Sequence, residues 1–260
     1  MAGWKVMIGW GQACCLLALS LALVGCCCPV PIPSGTSHEE VDPLTVTRVE
    51  IPLDDASGLQ EATLTRNFYF IFDGSGSMAD PPDWECGGDQ SFETKLAGAK
   101  WAVGEFVDKV ADDMNLGLYV FDRHGRSELV PLSAGNREPF LQAIGSVEAG
   151  GGTPLADAIH FGVDRLVAQY KKQLGYGEFR LVVVTDGIAD DIPAAAAYGA
   201  TYGIPIYAIG LCIGERHPLR QYAVSYRAAD NFADLARGLE ETLAELPSFD
   251  EGWHDELEGP

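Results

Sequence analysis

Positive charge is scarce in this chain. Lys and Arg number 17 against 38 Asp and Glu, a formal net charge of −21. That balance repels nucleic acid and anionic lipid faces, and suits cations, basic partners or plain solubility. Cysteine is almost missing from the body of the chain: of seven, only Cys86 and Cys212 lie beyond residue 28. No C-x-x-C pair stands outside the N-terminal cysteine run, so the usual zinc spacings are excluded. No G-K-[ST] follows the glycines near residue 75, which leaves a phosphate cradle without its cation. Neither Gly74-Ser75-Gly76 nor Gly76-Ser77-Met78 completes a G-x-S-x-G nucleophile turn. His124, His160 and His217 have no evident catalytic partner, and His160 reads as a packed or surface side chain. No internal repeat is visible. What remains is ample for a core: 260 residues, 47% hydrophobic and 10% aromatic, suiting one domain with extensions or at most two small ones.

The N-terminus reads as an export segment. Residues 1–25 carry one charge, Lys5, then an apolar run, then small residues, the layout of a secretory signal peptide. The uncharged stretch Val6–Cys28 is 23 residues long, which also suffices to span a membrane. Leu23-Val24-Gly25-Cys26 resembles the bacterial lipobox. That resemblance implies cleavage before Cys26 and lipidation of its thiol, with membrane attachment through the lipid. Two or more acyl chains anchor stably where one does not. A spanning anchor is the alternative, and both readings place the folded part outside the cytoplasm. Residues 26–65 read as a tether and lead-in. "PVPIPSGTSHEEVDP" is rich in Pro, Ser and Gly, and "LTVTRVEIPL" alternates like an edge strand.

From residue 66 to 246 strands alternate with helices. "NFYFIFD", "NLGLYVFD", "SELVPLS", "FRLVVVTDG", "IPIYAIGLC" and a short "YRAAD" read as strands. "FETKLAGAKWAVGEFVDKV", "NREPFLQAIGSV", "TPLADAIHFGVDRLVAQYKKQ", "DIPAAAAYGATYG" and "NFADLARGLEETLAEL" read as helices. The predicted fold class is α/β: a doubly wound, mostly parallel sheet with helices on both faces. One antiparallel edge hairpin is expected, because "RHGR" is too short for a crossover. Asp190 and Asp191 are expected to cap the "IPAAAAYG" helix, and Asp122 to serve the hairpin turn. Residues 247–260 form an acidic tail.

Sites in open α/β sheets form at the carboxyl ends of parallel strands. Three helix-proximal loops of this kind carry oxygen side chains: Asp73-Gly74-Ser75-Gly76-Ser77, Thr153 in "GGGTPL", and Asp186 in "VVVTDG". An all-oxygen set favours a hard dication. Two carboxylates supply the charge, and neutral hydroxyls leave the ion wanting one more anionic oxygen from outside. Gly74 and Gly76 are expected to bend the backbone beneath the ion.

Asp73-x-Ser75-x-Ser77, Thr153 and Asp186 together resemble the metal-ion-dependent adhesion site of the von Willebrand factor type A family, over about residues 66–246. The resemblance implies Mg²⁺, with Mn²⁺ or Ca²⁺ as alternatives, and capture of a protein partner's Asp or Glu. It implies direct hydroxyl ligation by Ser75, Ser77 and Thr153, with Asp73 and Asp186 acting directly or through water. It implies a binding module at the cell envelope rather than an enzyme. A non-adhesive subunit that uses the metal for stability is the alternative. A metal-dependent hydrolase ranks below both. Aspartyl phosphatases of the haloacid dehalogenase type place a second Asp where this chain has Ser75, and also need a Lys near the site. If Asp73 and Ser77 served only as caps, they would bond the first turn of the next helix. The loop "MADPPDWECGGDQS" is long for a βα connection and carries Trp84, an aromatic suited to partner contact. It also holds Cys86. A Cys86–Cys212 disulfide is expected to pin it, as the oxidising compartment allows.

Overall fold

The computed structural model describes residues 46–53, 64–82, 92–187, 189, 191–213 and 217–243. The export segment, the tether to residue 45, Trp84, Cys86, Asp190 and the acidic tail lie outside the described residues. Among the described residues no helix is long and apolar enough to cross a membrane.

Six strands form one sheet: β1 (Arg66–Asp73), β2 (Asn115–Asp122), β3 (Gly125–Ser133), β4 (Glu178–Thr185), β5 (Ile206–Leu211) and β6 (Ser225–Ala229). Five helices cover it: α1 (Lys95–Lys109), α2 (Arg137–Ser146), α3 (Leu155–Lys172), α4 (Ile192–Thr201) and α5 (Phe232–Glu241). The strand order is β3-β2-β1-β4-β5-β6. All neighbours run parallel except β2 and β3, the expected edge hairpin. This is the doubly wound α/β sheet that the alternating pattern predicts.

β1 is central because both of its faces are apolar. Phe68, Phe70 and Phe72 enter the core shared with α1, α2 and α5. Tyr69 and Ile71 enter the opposite core, against α3 and α4. The period of two sorts them, and both faces are covered, as parallel strands require. Each fully buried Phe contributes up to about 3 kcal/mol by area removed from water. At the amino end Asn67 ties the strand to its neighbours. Its amide donates to Thr65 O and Glu178 O, and its carbonyl accepts from Asn115.

Two expectations are corrected. Residues 46–53 form no strand. The sheet already ends at β3 and β6, and this segment lies against α4 instead. The Val49 N–H donates to Thr201 O at 2.8 Å, and Val46 and Arg48 line a groove with Ala196 and Ala200. Asp191 occupies the position before α4, but its φ is 59° and its side chain makes no cap. A capping residue ordinarily has extended backbone, and this left-handed one departs from that geometry.

Candidate metal centre

The chain runs from β1 to β2 on one side and returns through β4 on the other. Their carboxyl ends therefore flank the point where the strand order reverses, the place such sheets bind ligands. Asp73 closes β1 and Asp186 follows β4 directly.

Asp73 is fully buried. Its Oδ1 accepts from the Ser75 N–H at 2.8 Å, and its Oδ2 from the Thr185 hydroxyl at 2.6 Å. Burial holds its carboxyl above the ordinary value, against the hydrogen bonds from Ser75 and Thr185, and the charge of Asp186 adds to the rise. Ser75 and Ser77 stand with hydroxyl oxygens 3.2 Å apart. The Ser77 hydroxyl donates to Asp186 Oδ1 at 2.7 Å. A β-carbon built on Gly187 would lie 3.5 Å from Thr153 Oγ1 and 3.7 Å from Asp73 Oδ2. Thr153 and Asp73 thus border one point. All five oxygen side chains singled out in the sequence gather at this end of the sheet.

The helix-cap reading of Asp73 and Ser77 fails on geometry. Thr94 caps α1, accepting from the Ala97 N–H at 3.1 Å. Ser75 precedes a short 3₁₀ turn over Gly76–Ala79 and its side chain makes no cap there.

The chain leaves β1 through Gly74 and enters the 3₁₀ turn at Gly76. Gly74 and Gly76 do not adopt positive φ. Gly74 is required by close approach, since a β-carbon would fall 2.7 Å from Val147 Cγ1 and 2.9 Å from Asp122 Cβ. The conformational demand falls on "GGGTPL" instead. Gly151 has φ of 81°, and a β-carbon there would press on Asp122 O at 3.0 Å. This loop is stitched to the first by Gly150 N–H to Gly74 O at 2.9 Å and Gly76 N–H to Gly151 O at 3.1 Å. Asp122 is the turn residue expected, accepting from the His124 and Glu148 N–H groups.

Two residues at the site were not read from the sequence. Lys95, the first residue of α1, places Nζ 2.9 Å from Asp186 Oδ2. A cation at a helix N-terminus opposes the macrodipole, and that local conflict was the available signal. The lysine removes one of the two grounds against a phosphatase. Ser75 in place of a second Asp still stands, and Asp73 is buried with both oxygens already hydrogen-bonded. His217 also finds a partner. Its Nδ1 accepts from the Leu219 N–H, so its Nε2–H donates to Gly187 O at 2.9 Å. Burial pushes its pKa down, and the neutral ring fixes the turn after Asp186. His160 packs against Tyr198, as expected of a structural side chain. Cys212, just past β5, is disulfide-bonded, and Cys86 lies outside the described residues.

The donor set fits a hard dication. It is all oxygen, with two carboxylates and three hydroxyls. The Ser77 proton is directed at Asp186, leaving its lone pairs for a metal. Among the described residues no group of three or more His, Cys, Asp or Glu forms a metal cage. Beside Thr153 lies a cleft of about 560 Å³, lined by Asp122, Arg123, Arg126 and Pro154.

Comparison with known proteins agrees with the topology. Solved structures that superpose on the chain include the following three. The pilus adhesin SpaC from Lactobacillus rhamnosus GG aligns with a TM-score of 0.52 at 14% identity, covering 70% of this chain and 30% of its own. A von Willebrand factor type A protein from Catenulispora acidiphila gives 0.50 at 20% identity, covering 68% and 42%. The PilB minor pilin from Streptococcus sanguinis gives 0.50 at 15% identity, covering 77% and 64%. The chain thus spans less than two thirds of each of these relatives, and at such identities the likeness concerns the fold. No curated protein matches the sequence. The family model for the von Willebrand factor type A domain matches residues 67–238, well over half of the chain, and this protein therefore belongs to that family.

Proposed function

We propose that this protein is a dication-dependent protein-binding module of the bacterial cell envelope. Asp73, Ser75, Ser77, Thr153 and Asp186 would hold Mg²⁺, or Mn²⁺ or Ca²⁺ in its place. When bound, the ion supplies an electrophilic site for one further oxygen, and a partner's Asp or Glu is the group that fits it. The observation that carries this reading is the 2.7 Å bond from Ser77 to Asp186, across 109 residues of sequence. It joins the first loop to the strand end across the reversal point.

The chain's own residues divide the work. Asp73 and Asp186 provide charge where burial makes an unpaired carboxylate costly. Ser75, Ser77 and Thr153 provide neutral oxygens, so a dication stays short of anionic ligands and favours one from outside. The cleft beside Thr153 gives a partner segment room next to that position. Family membership and fold relatives among a pilus adhesin and a minor pilin support binding over catalysis.

Isothermal titration with Mg²⁺ and with Mn²⁺ tests the site. The wild type is expected to bind at least one ion. Ser75→Ala with Ser77→Ala is expected to weaken binding about 100-fold or more, because losing a mere supporting partner already costs 10–100-fold. The double mutant should keep its fold and lose chelator-sensitive partner capture. Loss of folding instead would favour a stabilising metal in an envelope assembly.

The envelope location rests on the Leu23–Cys26 resemblance. Residues 1–25 would be removed, Cys26 would carry the lipid, residues 26–65 would tether the domain at 66–246, and 247–260 would form the tail. The loop disulfide is Cys86–Cys212, supported by the bonded state of Cys212. Non-reducing peptide mass mapping of the mature protein checks both features. An acylated N-terminal Cys26 peptide and one cross-linked Cys86–Cys212 peptide are expected. An intact residue 1–25 segment or a free Cys86 thiol would count against the respective feature.

A further inference from the structure

Lys95 sits where the proposed metal would act. Its Nζ lies 2.9 Å from Asp186 Oδ2, while Ser77 takes Oδ1. The Asp186 side chain is fully buried and that of Lys95 is 18% exposed, so the pair is shielded from solvent screening. The lysine is held there by its own backbone. The Lys95 N–H donates to Asp80 O at 3.0 Å, which fastens the start of α1 to the turn that follows Ser77. The position is otherwise a poor one for a cation, because the exposed amides of a helix start already carry partial positive charge. A lysine placed against that local preference points to a role at the carboxylates.

We propose that Lys95 is a built-in cation that competes with the metal for Asp186 and sets the site to weak, reversible metal affinity. The inference rests on the metal reading given above. Asp73 and Asp186 carry two negative charges and Lys95 one positive, so a dication meets a net charge of −1 instead of −2. Loading must either displace the ammonium from Oδ2 or hold it close to the ion, and like charges at such range repel strongly. The coupling is reciprocal: what the ammonium costs the metal, the metal costs the ammonium. Lys100 does not share this role. Its ammonium donates to Gly145 O and Val147 O, the carbonyls ending α2.

The test compares the full chain with Lys95→Met, Lys95→Gln and Lys95→Arg, and with Lys171→Gln as a control for net charge at the far end of α3. Titration calorimetry with Mg²⁺ and Mn²⁺ is read beside thermal melts in chelator and in saturating Mg²⁺. Neutral variants are expected to bind about tenfold more tightly or better, while Lys95→Arg and Lys171→Gln stay near wild type. The neutral variants should also melt earlier in chelator and gain more from Mg²⁺ than the wild type. Metal binding by the neutral variants alone would support the proposal in its strongest form. Unchanged affinity in Lys95→Met and Lys95→Gln, with binding lost in the Ser75/Ser77 double variant, would overturn the role of Lys95 and leave the metal site standing. Tightening in Lys95→Arg as well would also overturn it, since charge would not be the cause. Absence of binding in the wild type and every variant would overturn both readings.

Discussion

Asp73→Asn is expected to lower dication affinity by at least about 100-fold and, in chelator, to raise the melting temperature. The first effect follows from removing one of the two charges at the site, where loss of a supporting partner alone costs 10–100-fold. The second follows from burial. Asp73 is fully buried, burial is the main cause of its raised pKa, and Asp186 adds to it. A carboxyl raised in the folded state stabilises the fold fully below its ordinary value of 3.8, and that contribution is lost as pH rises through the raised value. Above that raised value and without metal the ionised group is therefore a liability, and asparagine removes it.

The amide can also be accommodated. Its oxygen can accept from the Ser75 N–H. Its NH₂ can donate to Thr185 Oγ1, whose own proton has Gly187 O within 3.3 Å. Melting curves from pH 4 to 8 in chelator check the sign. As pH rises across that range the wild type should lose stability relative to Asp73→Asn. A variant less stable than wild type at pH 7 in chelator would show that the two hydrogen bonds outweigh the buried charge.

Much of this was legible in the sequence because the relevant patterns are local. The apolar run ending in Asp73 announces a two-faced strand, and the D-x-S-x-S spacing sets Ser75 and Ser77 on the turn that follows. The edge hairpin could be read from the shortness of "RHGR". Where the sequence misled or stayed silent, the cause was tertiary. Gly74 is also a close contact: Val147 and Asp122 come from other loops, and nothing near residue 74 announces them. Lys95 reads as an ordinary helix residue until the turn at Asp80 fixes where α1 begins. Residues 46–53 alternate like a strand, yet the segment is tied to the end of α4 through the Val49 N–H and Thr201 O, and its Val49 and Leu53 side chains stay exposed. His217 lacks a side-chain partner in the sequence because its partners are backbone groups of Gly187 and Leu219.

Gly98→Ala is expected to cost stability although it adds only one methyl group to a helix interior. Gly98 lies inside α1, where alanine ordinarily gains about 1 kcal/mol over glycine. Here the sign reverses. The β-carbon would lie 2.1, 2.2 and 2.4 Å from ring atoms of Phe232, where carbon atoms normally rest about 3.5–4.0 Å apart. Phe232 is fully buried and packs edge-on against Phe92 with ring centroids 4.8 Å apart. The ring also begins α5, whose cap is the Asn231 side chain accepting from the Asp234 N–H at 2.8 Å. Rotating it away would open a void or break that start, so α1 and α5 must separate. Overpacking of this kind costs about 1–3 kcal/mol and occasionally more, and we expect the upper part of that range despite the propensity gain. Urea unfolding should show a lower midpoint with an unchanged slope. Phe232→Leu in the same background should recover part of the loss, because a smaller side chain frees the space the methyl needs. A Gly98→Ala variant as stable as wild type would mean that the contact between α1 and α5 is looser than the ring position implies.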